Sequence, residues 1–282
     1  MIKGIDYEKC NSCSICVSTC PEYFKKDENQ NKIIFNDPLN QCSLCGRCIC
    51  KCQQVAILHE NMGEFISYEG IEDPPAFISY ERLHNFMIAK RSIRRYKKKN
   101  IPRNIMEKVL NSMRYAPTGA NMRTLKCTII SGENKVKGLS EAIMDKIITS
   151  TPQTIMEMFK IIYIENAIAY SQQMKIAKES GFDAIFYNAP AVMIIHSNNP
   201  ADDMNATISL TYGMFSAQSL GLGSCWIGLA QGVFNSSKEI KEKIFSVKGT
   251  VWGVITLGYL SHKFYYVPPR PPIPTRGLED LE

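Results

Sequence analysis

Between residues 61 and 80 the alternation of apolar and polar positions loses its period, and Gly63, Gly70 and Asp73-Pro74-Pro75 interrupt the chain. This stretch reads as a linker between a first domain over 1–60 and a second that begins near residue 81. Beyond it, Leu83, Phe86 and Met87 recur at helical spacing over 81–89, and 105–113 reads as an amphipathic helix ended by Pro117-Thr118-Gly119. Residues 126–131 read as a strand running into a turn at Gly132, and 143–148 and 155–171 are helical in period. The run Ala-Val-Met-Ile-Ile after Pro190 predicts a buried strand over 189–196, and 205–220 a helix apolar nearly all round, suited to a core or an interface. Gly221 and Gly223 stand where a left-handed cap would stop that helix, and 224–229 and 250–259 predict further strands. The second domain, 81–266, is therefore α+β, and 267–282 is a proline-rich C-terminal arm.

Cysteine changes the reading of the first domain. Eight of the chain's eleven cysteines form two runs, Cys10, Cys13, Cys16, Cys20 and Cys42, Cys45, Cys48, Cys52, each C-x2-C-x2-C-x3-C and offset by 32 positions. Three cysteines at two-residue gaps present three thiolates to one cubane, and the fourth is placed to reach a neighbouring one, so the repeat predicts two [4Fe-4S] clusters. A zinc site would leave the third cysteine of each run without a role. Disulfides need an oxidising compartment, and residues 1–6 lack the basic start and apolar stretch of an export signal. A segment this short hides too little apolar surface to offset its conformational entropy, and metal ligation can supply the difference. Residues 2–60 resemble a bacterial-type two-cluster ferredoxin. That resemblance implies ligation by Cys10, Cys13, Cys16 with Cys52, and by Cys42, Cys45, Cys48 with Cys20. Pro21 follows Cys20 as in that family, whereas Gln53 follows Cys52. Cys50 reads as a packing residue.

Composition then excludes some classes. With 45% hydrophobic residues and no apolar run of membrane-span length, the 282-residue chain reads as soluble and cytoplasmic. Its formal charge of +6 points to nucleic acid only if bound anions are ignored. Each oxidised cubane with four thiolates carries about two negative charges. The basic surplus then matches bound cofactors, and neither nucleic acid nor membrane is expected as a partner.

In the second domain, Arg91, Ser92 and Arg94 offer two guanidinium forks and a hydroxyl, a grouping suited to a phosphate monoester, although the run continuing through Lys97, Lys98 and Lys99 also reads as a solvated face. Asn121 in Ala-Pro-Thr-Gly-Ala-Asn presents an amide able to read a flavin's polar edge. Gly221-Leu-Gly-Ser-Cys-Trp-Ile-Gly228 has Trp226 where a dinucleotide fingerprint needs its third glycine, and instead offers a small-residue turn whose backbone N–H groups face a planar ring.

In this order the three segments resemble the FMN-dependent nitroreductase family over 82–270. The resemblance implies that Lys90, Arg91, Ser92 and Arg94 hold the FMN phosphate and ribityl chain. It implies that Pro117, Gly119 and Asn121 shape a loop on the isoalloxazine, that Ile227 and Gly228 bring backbone to its reactive nitrogen, and that Arg270 reaches the phosphate. Family members often carry Gln-Pro after the asparagine, where this chain has Arg123-Thr124. The family also implies a homodimer, and a mostly antiparallel central sheet flanked by helices. The chain as a whole is then expected to couple two clusters, supplied by a reduced ferredoxin or another low-potential protein, to an FMN that reduces a nitroaromatic, quinone or activated alkene by two electrons. Two alternatives are an electron carrier or redox sensor without turnover, and an NAD(P)H-dependent reductase using the clusters as an exit. No acid or base is assigned: His196 reads as a satisfied core residue, Cys225 and Cys127 as buried small hydrophobes, and Trp226 as packing.

Overall fold

Each cysteine run folds as a loop leading into a five-residue helix inside the run, α1 (Ile15–Thr19) carrying Cys16 and α2 (Arg47–Lys51) carrying Cys48. The computed structural model describes residues 1–67, 69–244 and 246–278. It divides into one unit of Met1–Phe77 with Pro117–Arg123, and another of Ile78–Ala116 with the chain from Thr124 on. In the first unit β1 (Ile2–Ile5) pairs antiparallel with β4 (Ile57–His59), and β2 (Phe24–Asp27) with β3 (Lys32–Phe35). The halves repeat in backbone as well as in sequence. Ser12 and Leu44, equivalent across the offset, are both left-handed (φ 58° and 54°), as are Ser14 and Gly46 (φ 62° and 75°). The core is small: Ile2, Ile5, Phe24, Ile33 and Ile57 pack with Cys16 and Cys48.

The interval expected to be a linker contains a short helix, α3 (Pro74–Phe77), and the first residue of α4 (Tyr80–Ile88), whose N-cap Ser79 accepts from the Arg82 N–H. Tyr68 of that interval and residues 279–282 of the expected arm lie outside the described residues.

The second unit is built on a four-stranded antiparallel sheet in the order β5 (Lys126–Ser131), β6 (Ala191–Ser197), β8 (Thr250–Tyr259), β7 (Leu222–Trp226). β6 is buried at all seven positions because both its faces are covered. Val192 and Ile194 enter one core, and Ala191, Met193 and Ile195 the other, following the two-residue period of a strand. Full burial of each large apolar side chain contributes roughly 1.5–3 kcal/mol. On the first face lie α6 (Glu133–Thr149), α7 (Pro152–Phe159), α8 (Ile164–Glu179) and α10 (Gly228–Ser236). On the second lie α5 (Arg103–Met113) and α9 (Asp202–Ser219). This is the expected α+β arrangement, with one parallel element added, a bridge from Ser92 to Ser224 on β7.

Three sequence expectations change. The helix expected over 155–171 is two helices, because Lys160 adopts a left-handed φ of 51° and ends α7. The strand expected over 224–229 stops at Trp226, the last residue paired with β8, and Gly228 opens α10 with Ala230, Val233 and Phe234 buried at helical spacing. Of the two proposed cap glycines only Gly221 is left-handed (φ 76°). Gly223 lies within β7, where a Cβ would come 2.5 Å from Ile93 Cγ1.

A close approach also governs Gly253 on β8, where a Cβ would stand 2.3 Å from Leu210 Cδ1 and 2.8 Å from the Trp226 ring. Gly253→Ala is expected to lower stability by about 1–3 kcal/mol in chemical denaturation. His196 is buried between the Lys248 carbonyl at Nδ1 (2.5 Å) and Thr128 Oγ1 at Nε2 (3.0 Å), which fits the core reading. Burial holds its pKa below the ordinary histidine value, and Lys126 and Lys241 push the same way. The unfolded chain therefore takes up this proton first, so the contribution of a neutral His196 is complete above about pH 6.5 and is lost as pH falls through the folded value. Melting temperature should decline on acidification in this range, and His196→Gln should flatten that decline; an unchanged slope would remove His196 as its source.

Candidate functional site

The fold brings cysteines of the two runs together. Cys10, Cys13 and Cys16 line one pocket with Cys52, among Ile5, Ile33 and other apolar side chains. Cys20, the last of the first run, faces the second: burial raises its thiol pKa, and Cys45 and Cys42 add to the rise. Burial pushes the Cys48 thiol up to about 12, with Cys20, Cys42 and Cys45 contributing through like charge. Cys16 is raised by burial and then by Cys10 and Cys13. Two quartets result, each three from one run and one from the other. Among the described residues no group of three or more His, Cys, Asp or Glu is arranged for a single metal ion. A cubane asks for something else, since each thiolate binds a separate iron corner. Cys50 is exposed, not packed, because its side chain projects from the short helix α2.

Asn121, Gly119 and Pro117 belong to the segment that clusters with this first unit. Asn121 Nδ2 donates to the Ser43 carbonyl at 3.0 Å and to the Leu44 carbonyl at 2.9 Å, within the gap between Cys42 and Cys45. Ala120 and Asn121 are both left-handed, which makes the tight turn there possible.

In the second unit the basic segment runs beside β7. The Ile93 N–H donates to the Ser224 carbonyl at 3.0 Å, and Lys90 Nζ donates to the carbonyls of Arg91 (2.8 Å) and Ser224 (3.3 Å). Burial holds the Lys90 pKa below its ordinary value, and Arg91 acts in the same direction. Arg91 Nη2 donates to the Ile88 carbonyl at 3.2 Å, but its Nε is buried without a partner, and so is Ser224 Oγ. Lys90, Arg91 and Ser224 line one cavity of about 230 Å³. A third orphaned atom, His262 Nδ1, belongs to a ring edge-on to Phe264, which lines that cavity. Leaving a buried donor unsatisfied costs about 1–3 kcal/mol, more when it is charged, so the cavity is built for an acceptor, and two cations make that acceptor an anion.

Ser92 and Arg94 are exposed on the opposite side of the segment, Arg94 lying over the Tyr187 ring at 5.8 Å. Arg270 is exposed in the extended chain after β8. Ile227 is buried, its N–H donating to the Val254 carbonyl at 2.8 Å, and Gly228 borders a larger cavity of about 1050 Å³ with Trp226, Gln231, Phe159 and Trp252. Trp226 Nε1 donates to Gln231 Oε1 at 3.1 Å, so the indole is fixed by packing and one hydrogen bond. Sequence reasoning missed Ser224 as a polar site residue. Its signal was its place in the Gly221–Gly228 motif, but only the bridge to Ser92 sets its hydroxyl beside Arg91.

The sequence profile of the nitroreductase family matches residues 88–259. The chain belongs to the nitroreductase family. Its family domain therefore covers every strand and helix of the sheet-bearing unit from Ile88 onward. No curated protein matches the chain. Among solved structures, a nitroreductase with bound FMN from Bacteroides fragilis NCTC 9343 is 21% identical with a TM-score of 0.56, over 70% of this chain and 97% of that one. A nitroreductase with bound FMN from Desulfitobacterium hafniense DCB-2 is 15% identical with a TM-score of 0.51, over 67% and 93%. At these identities the likeness establishes the nitroreductase fold. Among the described residues no helix is long and apolar enough to cross a membrane.

Exposure separates two cysteines outside the quartets. Cys50 is exposed, and Cys225 is 1% exposed in the nitroreductase core. A thiol reagent should label Cys50 in the native protein and Cys225 only after denaturation, read by mass spectrometry; equal rates would contradict the packing of β7. Cys127 on the edge strand β5 is exposed as a residue, yet surrounding atoms crowd its thiol and burial pushes its pKa up to about 12; full burial holds for Cys225 alone.

Proposed function

We propose that the protein is an iron–sulfur and FMN-dependent oxidoreductase that reduces a small acceptor, a nitroaromatic, quinone or activated alkene, with electrons from a low-potential donor protein. The observation that carries the reading beyond family membership is the crossing of the two cysteine quartets. A shared core does not require such an exchange of fourth cysteines, whereas two adjacent cubanes use it. Cys10, Cys13, Cys16 and Cys52 would hold one [4Fe-4S] cluster, and Cys20, Cys42, Cys45 and Cys48 the other. Bound clusters supply one-electron transfer, and bound FMN supplies two-electron reduction of the acceptor.

The residues of the second unit fit an anionic cofactor. Arg91 Nε and Ser224 Oγ are orphaned in the same cavity as Lys90, and a phosphate oxygen would satisfy both while neutralising the two cations. Ser92 and Arg94 do not line this cavity and stay exposed on the other side of the segment, Arg94 over the Tyr187 ring. Gly228 contributes backbone without a side chain to a cavity roomy enough for a ring and an acceptor, with aromatic side chains at Phe159, Trp226 and Trp252 among its walls. That space favours turnover over a carrier or sensor role. A homodimer and a cytoplasmic setting complete the proposal.

Anaerobic iron, sulfide and flavin analysis should give about eight irons and one FMN per chain. A low-potential donor should then bleach the flavin, and a nitroaromatic should restore it. Flavin without iron would overturn the cluster reading, iron without flavin the cofactor site, and loading without turnover the enzyme. Arg91→Ala should weaken FMN binding about 10- to 100-fold in a fluorescence titration, in line with ~1.5–3 kcal/mol for a charge-assisted hydrogen bond; unchanged affinity would place the phosphate elsewhere.

A further inference from the structure

We infer that Asn121 is a positioning residue for the second cysteine quartet, substituting for a hydroxyl that the first cysteine loop carries internally. The inference rests on the cluster reading above. In the first loop the Ser12 carbonyl accepts from Ser14 Oγ at 3.4 Å. Across the 32-residue offset, Ser12 corresponds to Leu44 and Ser14 to Gly46, and all four share the left-handed backbone. Gly46 has no hydroxyl. The Leu44 carbonyl instead accepts from Asn121 Nδ2 at 2.9 Å, and the same amide also reaches the Ser43 carbonyl at 3.0 Å. Arg123 Nη2 approaches the Leu44 carbonyl at 3.5 Å.

The first loop is tied further by its own residues: Ser12 Oγ donates to the Asn31 carbonyl at 2.7 Å, and the Cys13 N–H donates to Asn11 Oδ1 at 3.3 Å. At the second, Asp37 accepts from the N–H groups of Gln41 (2.8 Å) and Cys42 (3.0 Å), which fixes the entry to the loop. Its middle, Ser43 and Leu44, is held by Asn121. A donor on a peptide carbonyl polarises the adjoining N–H, and hydrogen bonds from such N–H groups to the sulfurs of a bound cluster would raise its reduction potential. Asn121 therefore serves Cys20, Cys42, Cys45 and Cys48, and leaves Cys10, Cys13, Cys16 and Cys52 untouched.

The test uses the full chain, reconstituted anaerobically, as wild type, Asn121→Ala, and Asn121→Ala with Gly46→Ser. Readouts are iron content under a chelator, a redox titration followed by electron paramagnetic resonance, and hydrogen exchange of segments 9–16 and 41–48. In Asn121→Ala, one cluster of the two should move to lower potential and lose iron about 10- to 100-fold more readily, the loss typical of an outer partner of a metal ligand. Exchange should quicken over 41–48 and not over 9–16. Gly46→Ser restores the internal hydroxyl at a position where a Cβ meets nothing within 4 Å. The left-handed φ of 75° strains a side chain there, but Ser14 holds the equivalent place at φ 62°, so the serine should recover all three readouts. Equal effects on both clusters, no effect on either, or no recovery with serine would overturn the inference. Wild-type protein that takes up no iron would overturn the cluster reading itself.

Discussion

β8 is hydrogen-bonded on both edges, to β6 on one side and β7 on the other, and the second unit takes its form from that double commitment. Because β7 is registered on β8, Ser224 lies opposite Leu257 and is presented to the basic segment by the parallel bridge from Ser92. The same strand anchors that segment at its far end, where Tyr96 bridges to Leu260 and its hydroxyl meets Thr256 Oγ1 at 2.7 Å. Burial of this hydroxyl raises its pKa far above the ordinary tyrosine value, so Tyr96 stays neutral and bonded. Arg91 and Lys90 are thus held beside β7 at two points, and their unsatisfied charge is a product of strand register.

The second unit was legible where a side chain's surroundings follow from its neighbours in sequence. β5, β8 and most of β6 announce themselves as apolar runs, and the 205–220 expectation matches α9 closely. The break at Lys160 was not legible because a lysine in the left-handed region carries no signal that distinguishes it from one within a helix. α10 was hidden by its glycines: Gly228 and Gly232 suggest a turn, yet at Gly232 a Cβ would come 2.5 Å from the Met158 carbonyl, so the residue is small to let α7 approach.

At the site the limit lies between side-chain identity and side-chain partner. Spacing alone indicates eight metal-binding cysteines, and the ferredoxin resemblance adds their crossed grouping, which depends on α1 and α2 lying together. Lys90 and Arg91 were visible as basic residues, whereas the orphaned atoms that mark them out exist only after Ser224 and Ile88 have taken their places. Asn121 was visible as an amide. That its two N–H groups point at Ser43 and Leu44 could not be read, since nothing local links positions almost eighty residues apart.

The shared left-handed geometry at Ser12 and Leu44, and again at Ser14 and Gly46, shows one backbone path stabilised from two sources. A duplicated element that keeps its path while giving up an internal donor stops being autonomous. One copy remains self-sufficient; the other has taken on an obligation to a distant stretch of chain. The repeat and the folding unit therefore do not end at the same residue, and a cut placed by the sequence boundary near residue 60 would sever one loop from the group that completes it.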